Sequence, residues 1–186
     1  MNRKLTTKKI VLTGLLAALT CVGSALRITV PLDIAGTTSF HLGNILCALS
    51  GILLGPWLGG LAAGLGSALY DMFNPLYISE CWLTFLMKFA YGMASGLVIC
   101  VGKKEWGYVR AVLAAAAGAA AYAVLYLAKS YFYSGLLVHG LTHEAALVTV
   151  AGKLPATAFN AAVAVLAAPV LAVAIRQALK KDLRRG

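Results

Sequence analysis

Eight charged side chains stand where an otherwise apolar chain has least use for them: Arg27, Lys88, Lys129 and Lys153, with Asp33, Asp71, Glu80 and Glu144. A charge at the centre of a bilayer costs about 2.5–3.5 kcal/mol even on lenient insertion scales, so such groups pair with one another or line a polar cavity. Glu80, Thr84, Lys88 and Tyr91 follow at intervals of 4, 4 and 3 residues, one face of a helix. Tyr122, Tyr126, Lys129 and Tyr133 follow at 4, 3 and 4, and Lys153, Thr157 and Asn160 at 4 and 3. His41 and Asn44 open a further apolar segment. Three arrangements fit. Glu80 or Glu144 could pair with Lys129 or Lys153 simply to hold helices together. The stripes could converge on a pocket for a polar, aromatic small molecule, with Tyr faces as walls and Lys or Glu fixing its orientation. Or the titratable groups could relay protons or ions.

Other chemistries lack their residues. His139 and His143 have the i, i+4 spacing of a helical metal site, but no Glu stands between them as a metalloprotease needs, and they fall in an expected surface loop. There is no phosphate-binding Gly-x-x-x-x-Gly-Lys-Ser/Thr loop and no Gly-x-Ser-x-Gly elbow. Cys21, Cys47, Cys81 and Cys100 are scattered singly in apolar segments and read as small buried hydrophobes. No enzyme activity, cofactor or metal is called for.

The elements that position these residues follow from composition. Of 186 residues 61% are hydrophobic and only 12% charged, against about 25% charged in soluble domains. Such a chain cannot cover its own surface in water; disorder, a coiled coil and a disulfide scaffold are excluded as well. The net charge of +10 sits in short runs beside apolar stretches, from Arg3, Lys4, Lys8 and Lys9 through Lys103, Lys104 and Arg110 to Arg176, Lys180, Lys181, Arg184 and Arg185. Cytoplasmic flanks of membrane helices look like this, so nucleic acid is not the partner; the lipid bilayer is.

Six apolar segments stand out, at 9–26, 40–54, 57–70, 80–101, 110–133 and 146–175. The second and third are short for the ~20 residues a span requires and could form one helix kinked at Gly55-Pro56. Charge favours six: both termini and the 102–110 loop then share one side with 12 of the 16 Lys and Arg. The first segment resembles the later ones and lacks a convincing cleavage site, so no signal peptide is expected. The expected fold is an all-α integral membrane protein, one six-transmembrane-helix bundle over residues 1–186 with both termini cytoplasmic.

Small residues recur every four positions: Thr13, Ala17, Cys21 and Ala25 on helix 1, with Gly14 and Ala18 beside them, and Gly55, Gly59, Ala63 and Ser67 on helix 3, with Gly60 and Gly64 beside them. Such stripes let backbones approach in lipid, either within the bundle or against a partner helix. The Ala-rich stretch 113–121 reads as close packing.

The chain resembles the substrate-binding S components of energy-coupling factor (ECF) vitamin transporters, in the riboflavin-type branch. The resemblance is carried by Phe40-His41-Leu42-Gly43-Asn44, by Gly51-Ile52-Leu53-Leu54-Gly55-Pro56-Trp57-Leu58-Gly59-Gly60, by Gly64-Leu65-Gly66-Ser67-Ala68-Leu69-Tyr70-Asp71 and by Phe85-Leu86-Met87-Lys88-Phe89-Ala90-Tyr91-Gly92. It implies a six-helix subunit of a prokaryotic plasma membrane that captures a vitamin from outside and works with a T subunit and two ATPases. Carried over by position, it implies a pocket on Glu80, Thr84, Lys88, Tyr126, Lys129, Tyr133, Lys153 and Asn160, with Arg27, His41 and Asn44 nearby. It also implies a lid over residues 27–39, and a docking stripe for the T subunit on helix 1. Strict Ala-x-x-x-Ala is not met; the pairs present are Ala17/Cys21 and Gly14/Ala18. The implied substrates are riboflavin, a pyridoxine-type compound or another small aromatic or polar micronutrient. The competing expectation is a stand-alone proton- or ion-coupled carrier, disfavoured by small size and the lack of an internal repeat.

Overall fold

A computed structural model describes residues 6–32, 37–101 and 106–182, the last four by backbone alone. Arg3, Lys4, Asp33, Lys103, Lys104, Arg184 and Arg185 of the sequence argument, and residues 33–36 of the expected lid, lie outside the described residues, as do the side chains of Lys180 and Lys181.

The described chain is mostly helical. Helix α1 spans Thr7–Ala25, followed by strands β1 (Arg27–Pro31) and β2 (Thr37–His41), then α2 (Gly43–Leu54), α3 (Pro56–Met72), α4 (Cys81–Cys100), α5 (Tyr108–Ala128) and α6 (His143–Asp182). A 3-10 turn, Ile78–Glu80, leads into α4, and a π-helical segment, Lys129–Val138, continues α5. Among the described residues four stretches are long and apolar enough to cross a membrane: Thr7–Ala25, Ile78–Cys100, Tyr108–Val138 and His143–Ala178. Helix α2 is a shorter apolar helix. Large side chains such as Leu15, Leu113, Val124, Leu166 and Val170 stay exposed on these helices, as a lipid-facing surface requires.

Two local outcomes bear on the expected boundaries, the first in agreement with them and the second not. The second and third segments are separate helices rather than one kinked rod. Gly55 takes φ +83°, a left-handed conformation that ends α2 cheaply only at glycine, and Pro56 starts α3 with its φ already suited to a first helical position. Residues 40–41, expected in a helix, belong instead to β2. Strands β1 and β2 pair antiparallel from Arg27 opposite His41 to Pro31 opposite Thr37, and β-branched Ile28, Thr29, Val30, Thr37 and Thr38 favour that extended state.

Helices α2, α3 and α4 meet through glycine backbones. A Cβ on Gly59 would strike the backbone of Ser50 and Gly51; one on Gly92 would strike Gly59 and Gly60; one on Gly96 would strike Gly55 and Pro56. The helix 3 stripe is therefore internal. On α5, Ala111, Ala114, Ala115, Gly118 and Ala119 are buried at helical spacing, and Tyr91 of α4 fills the space over Gly118. Helix α1 divides its two small-residue pairs: Ala17 is buried, with its carbonyl against Gly66 of α3, whereas Gly14 and Ala18 are exposed and Gly14 has open space beside it.

This contrast makes a prediction. Gly66→Leu should destabilise the bundle by about 1–3 kcal/mol or more through overpacking at the α1–α3 contact, while Gly14→Leu should leave the melting temperature unchanged. Parallel thermal melts of the two variants in one detergent check it.

Candidate functional site

Beneath the β1–β2 hairpin, between the ends of α3, α4, α5 and α6, lies a cavity of about 370 Å³, within the range of about 300–1,000 Å³ typical of small-molecule sites. Its lining includes four basic and two acidic side chains, Arg27, Lys88, Lys129 and Lys153 with Asp71 and Glu80. Nine of the eleven residues expected at a pocket line it: Arg27, His41, Glu80, Thr84, Lys88, Tyr126, Lys129, Lys153 and Asn160. Tyr122 lines it too, one turn before Tyr126, and the two rings stack with centroids 5.7 Å apart at 20°, giving the cavity an aromatic wall.

The charges are distributed over every neighbouring element. Arg27, at the start of β1, lies 3.9 Å from the Asp71 carboxylate of α3, with its guanidinium over the rings of Tyr70 and Tyr77 at 4.1 and 4.9 Å. Lys129 donates to Glu80, whose other oxygen accepts from Ser134 Oγ at 3.3 Å. This pair is one that sequence reasoning considered as a scaffold. Lys88 is 3% exposed; its ammonium donates to Asn44 Oδ1 and lies 3.7 Å from the centroid of Tyr122. Lys153 is 5% exposed, donates to Ser130 Oγ at 3.2 Å and lies 5.6 Å from the centroid of Tyr126.

Two expected residues are not at the cavity wall. Asn44 lies behind Lys88 in the first turn of α2 and orients that ammonium. Tyr133 turns away to an edge contact with Trp82, ring centroids 6.2 Å apart. The cause is the π segment: its i→i+5 bonding widens the turn, so that Ser134 replaces Tyr133 on the face of Lys129. Asn160 lines the cavity, yet its amide is committed to the hairpin, accepting from the His41 N–H at 3.0 Å and donating to the Ser39 carbonyl at 2.7 Å. It fastens the hairpin to α6.

Asp71 and Tyr77 were not among the expected site residues. Asp71 had been noticed as a misplaced acid, but it belongs to a helix with no polar stripe to point it inward. Tyr77 reaches the hairpin from the α3–α4 connection, its hydroxyl 3.2 Å from Thr37 Oγ1 and 3.4 Å from Ser39 Oγ, a contact no helical period announces. The two histidines separate: His139 lines the cavity, and His143 begins α6 and bonds to the Tyr131 hydroxyl. Among the described residues no group of three or more His, Cys, Asp or Glu gathers as a metal site.

His41 closes β2 with Nδ1 buried and without a hydrogen-bond partner among the described residues. Burial holds its imidazole well below the ordinary value, and the charges of Lys88 and Arg27 push the same way. The unfolded chain, with a normal value near 6.5, therefore takes up a proton below about pH 6.5 that the folded chain refuses, and stability falls by about 1.4 kcal/mol per unit as pH drops further. Apo melting should decline from pH 7.5 to 5.5, and His41→Gln should remove part of that decline; identical profiles would show His41 free to protonate in place. A second expectation concerns the ion pair. Lys129→Met should destabilise the apo-protein by about 1–3 kcal/mol by orphaning a partly buried carboxylate, and adding Glu80→Gln should restore much of it. Melts of the single and double variants provide the check.

The chain matches the family described as ECF-type riboflavin transporter, S component, over residues 4–177. Among solved structures it resembles the crystal structure of the S component for biotin from an ECF-type ABC transporter, with TM-score 0.59 and 15% sequence identity over 92% of this chain and 94% of that one. At that identity the likeness is one of fold. No curated protein matches the chain.

Proposed function

Because the chain belongs to the S-component family of ECF-type riboflavin transporters, we propose that it is the high-affinity substrate-binding subunit of an ECF-type ABC importer for a vitamin or related micronutrient. It is a membrane transport subunit and not an enzyme. In this reading it spans a prokaryotic plasma membrane six times with both termini cytoplasmic, α2 and α3 crossing beside the four longer helices. The hairpin and the cavity face outward. Substrate enters under the hairpin and rests against the Tyr122–Tyr126 wall; riboflavin, a pyridoxine-type compound or another small aromatic, polar molecule suits such a surface. A T subunit and two ATPases supply the energy.

The observation that carries this reading is the polar cavity roofed by the hairpin in a chain without a nucleotide-binding motif. Capture and energy input are then separate tasks on separate chains. The outward pair Gly14/Ala18 fits the docking stripe, since a partner helix can approach only a face that the bundle leaves uncovered. Ala17 already packs on α3 and Cys21 is half-buried, so the pair Ala17/Cys21 fits less well.

Purified alone, the protein should bind its substrate without ATP, and transport should require the T subunit and ATPases. Gly14→Trp and Ala18→Trp should abolish uptake by the assembled transporter with binding intact, whereas Ala17→Trp should reduce the yield of folded protein. Uptake into liposomes holding this chain alone, driven by an ion gradient, would establish the stand-alone carrier instead.

A further inference from the structure

The cavity's own carboxylates are occupied. Asp71 faces Arg27, and Glu80 takes Lys129 and Ser134. Arg27, Lys88, Lys129 and Lys153 line the cavity with only Asp71 and Glu80 as acids among the described residues, four positive groups less two negative, which leaves a surplus of two. The surplus is localised. Lys88 and Lys153 meet neutral groups, the oxygens Asn44 Oδ1 and Ser130 Oγ and the tyrosine rings beside them, and neither has a carboxylate within ion-pair distance among the described residues. An ammonium carries three donors, so each has hydrogen-bonding capacity beyond the one bond it makes to a side-chain oxygen.

Two nearly buried cations without anions are costly to hold in a bundle, unless the missing charge arrives with the ligand. The surplus also gives the cavity a positive field, which draws anions and repels cations. Both lysines adjoin the aromatic wall, Lys88 at Tyr122 and Lys153 at Tyr126. Resting on the substrate-binding reading above, we infer that the site is built for an organic anion: a flat ring on the Tyr122–Tyr126 wall and a carboxylate or phosphate group against Lys88 and Lys153. Arg27 and Lys129 hold the protein's own acids and leave these two lysines for the ligand. A neutral vitamin would leave both ammonium groups without an anion.

The test compares matched neutral and anionic probes by calorimetric titration of the full chain in lipid nanodiscs: riboflavin and riboflavin 5′-phosphate, nicotinamide and nicotinate, biotinamide and biotin, and pyridoxine beside 4-pyridoxate and pyridoxine 5′-phosphate. In at least one set the anionic member should bind roughly thirtyfold or more tightly than its neutral twin, the lower end of what a desolvated charge contact confers. The pyridoxine set and the phosphate and carboxylate pairs tell which anion is taken. Lys153→Met should bring that ratio close to one, with apo melting little changed because no protein anion is orphaned. Lys88→Gln provides a second variant should Lys153→Met fail to fold. Neutral probes binding as well as their anionic twins would overturn the inference and leave the substrate-binding reading standing, as would a ratio preserved in both folded lysine variants. Silence from every probe would count against both.

Discussion

A full charge taken out of water must be met within a few ångströms, and in a membrane bundle there is no surface to retreat to. This constraint organises one end of the molecule. Arg27 ties the hairpin to α3 through Asp71, and Lys129 ties the π segment to the 3-10 turn before α4 through Glu80. Lys88 ties α4 to α2 through Asn44, and Lys153 ties α6 to the π segment through Ser130. Each polar contact joins elements remote in sequence, so the groups that surround the cavity also set the spacing of its walls. The acids are matched by two of the cations, and the remaining two meet only partial charges.

The rest of the bundle is held by a different force. Helices α2, α3 and α4 touch through Gly51, Gly59, Gly92 and Gly96, where no side chain intervenes. Lipid supplies no hydrophobic drive between helices, so close backbone contact is the stabilising term left to them. The outcome is a tightly packed block at the base of a polar, partly hollow end. The hairpin is fastened by the Arg27–Asp71 pair, the Phe40–Phe159 edge contact, the Asn160 amide and the Tyr77 hydroxyl.

Fold and ligand are separable here. The chain shares its architecture with an S component for biotin at 15% identity and belongs to a family named for riboflavin. The fold by itself therefore names no ligand for this chain; the side chains that line its cavity are the place to look for one.

Much of this was written in the sequence in a form that needs no tertiary knowledge. Apolar content, the basic runs and the small-residue spacing determine a helical membrane protein, because lipid admits only backbone that satisfies its own hydrogen bonds. Helical periodicity placed Glu80, Thr84 and Lys88 on one face, and that face lines the cavity. Periodicity failed where the period changed: the π segment carried Tyr133 outward and Ser134 inward, and no local signal announces that widening. It was also silent on Tyr77 and Asp71, which reach the site from a connection and from a glycine-rich helix. Only the tertiary structure decided that Ala17 faces α3 while Gly14 and Ala18 face outward, since two small residues one position apart look alike until a neighbour covers one of them. It alone decided which lysines have acids. Spacing along a helix fixes the direction of a charge, whereas its partner comes from another helix, at a distance set by how closely the glycines let the backbones meet.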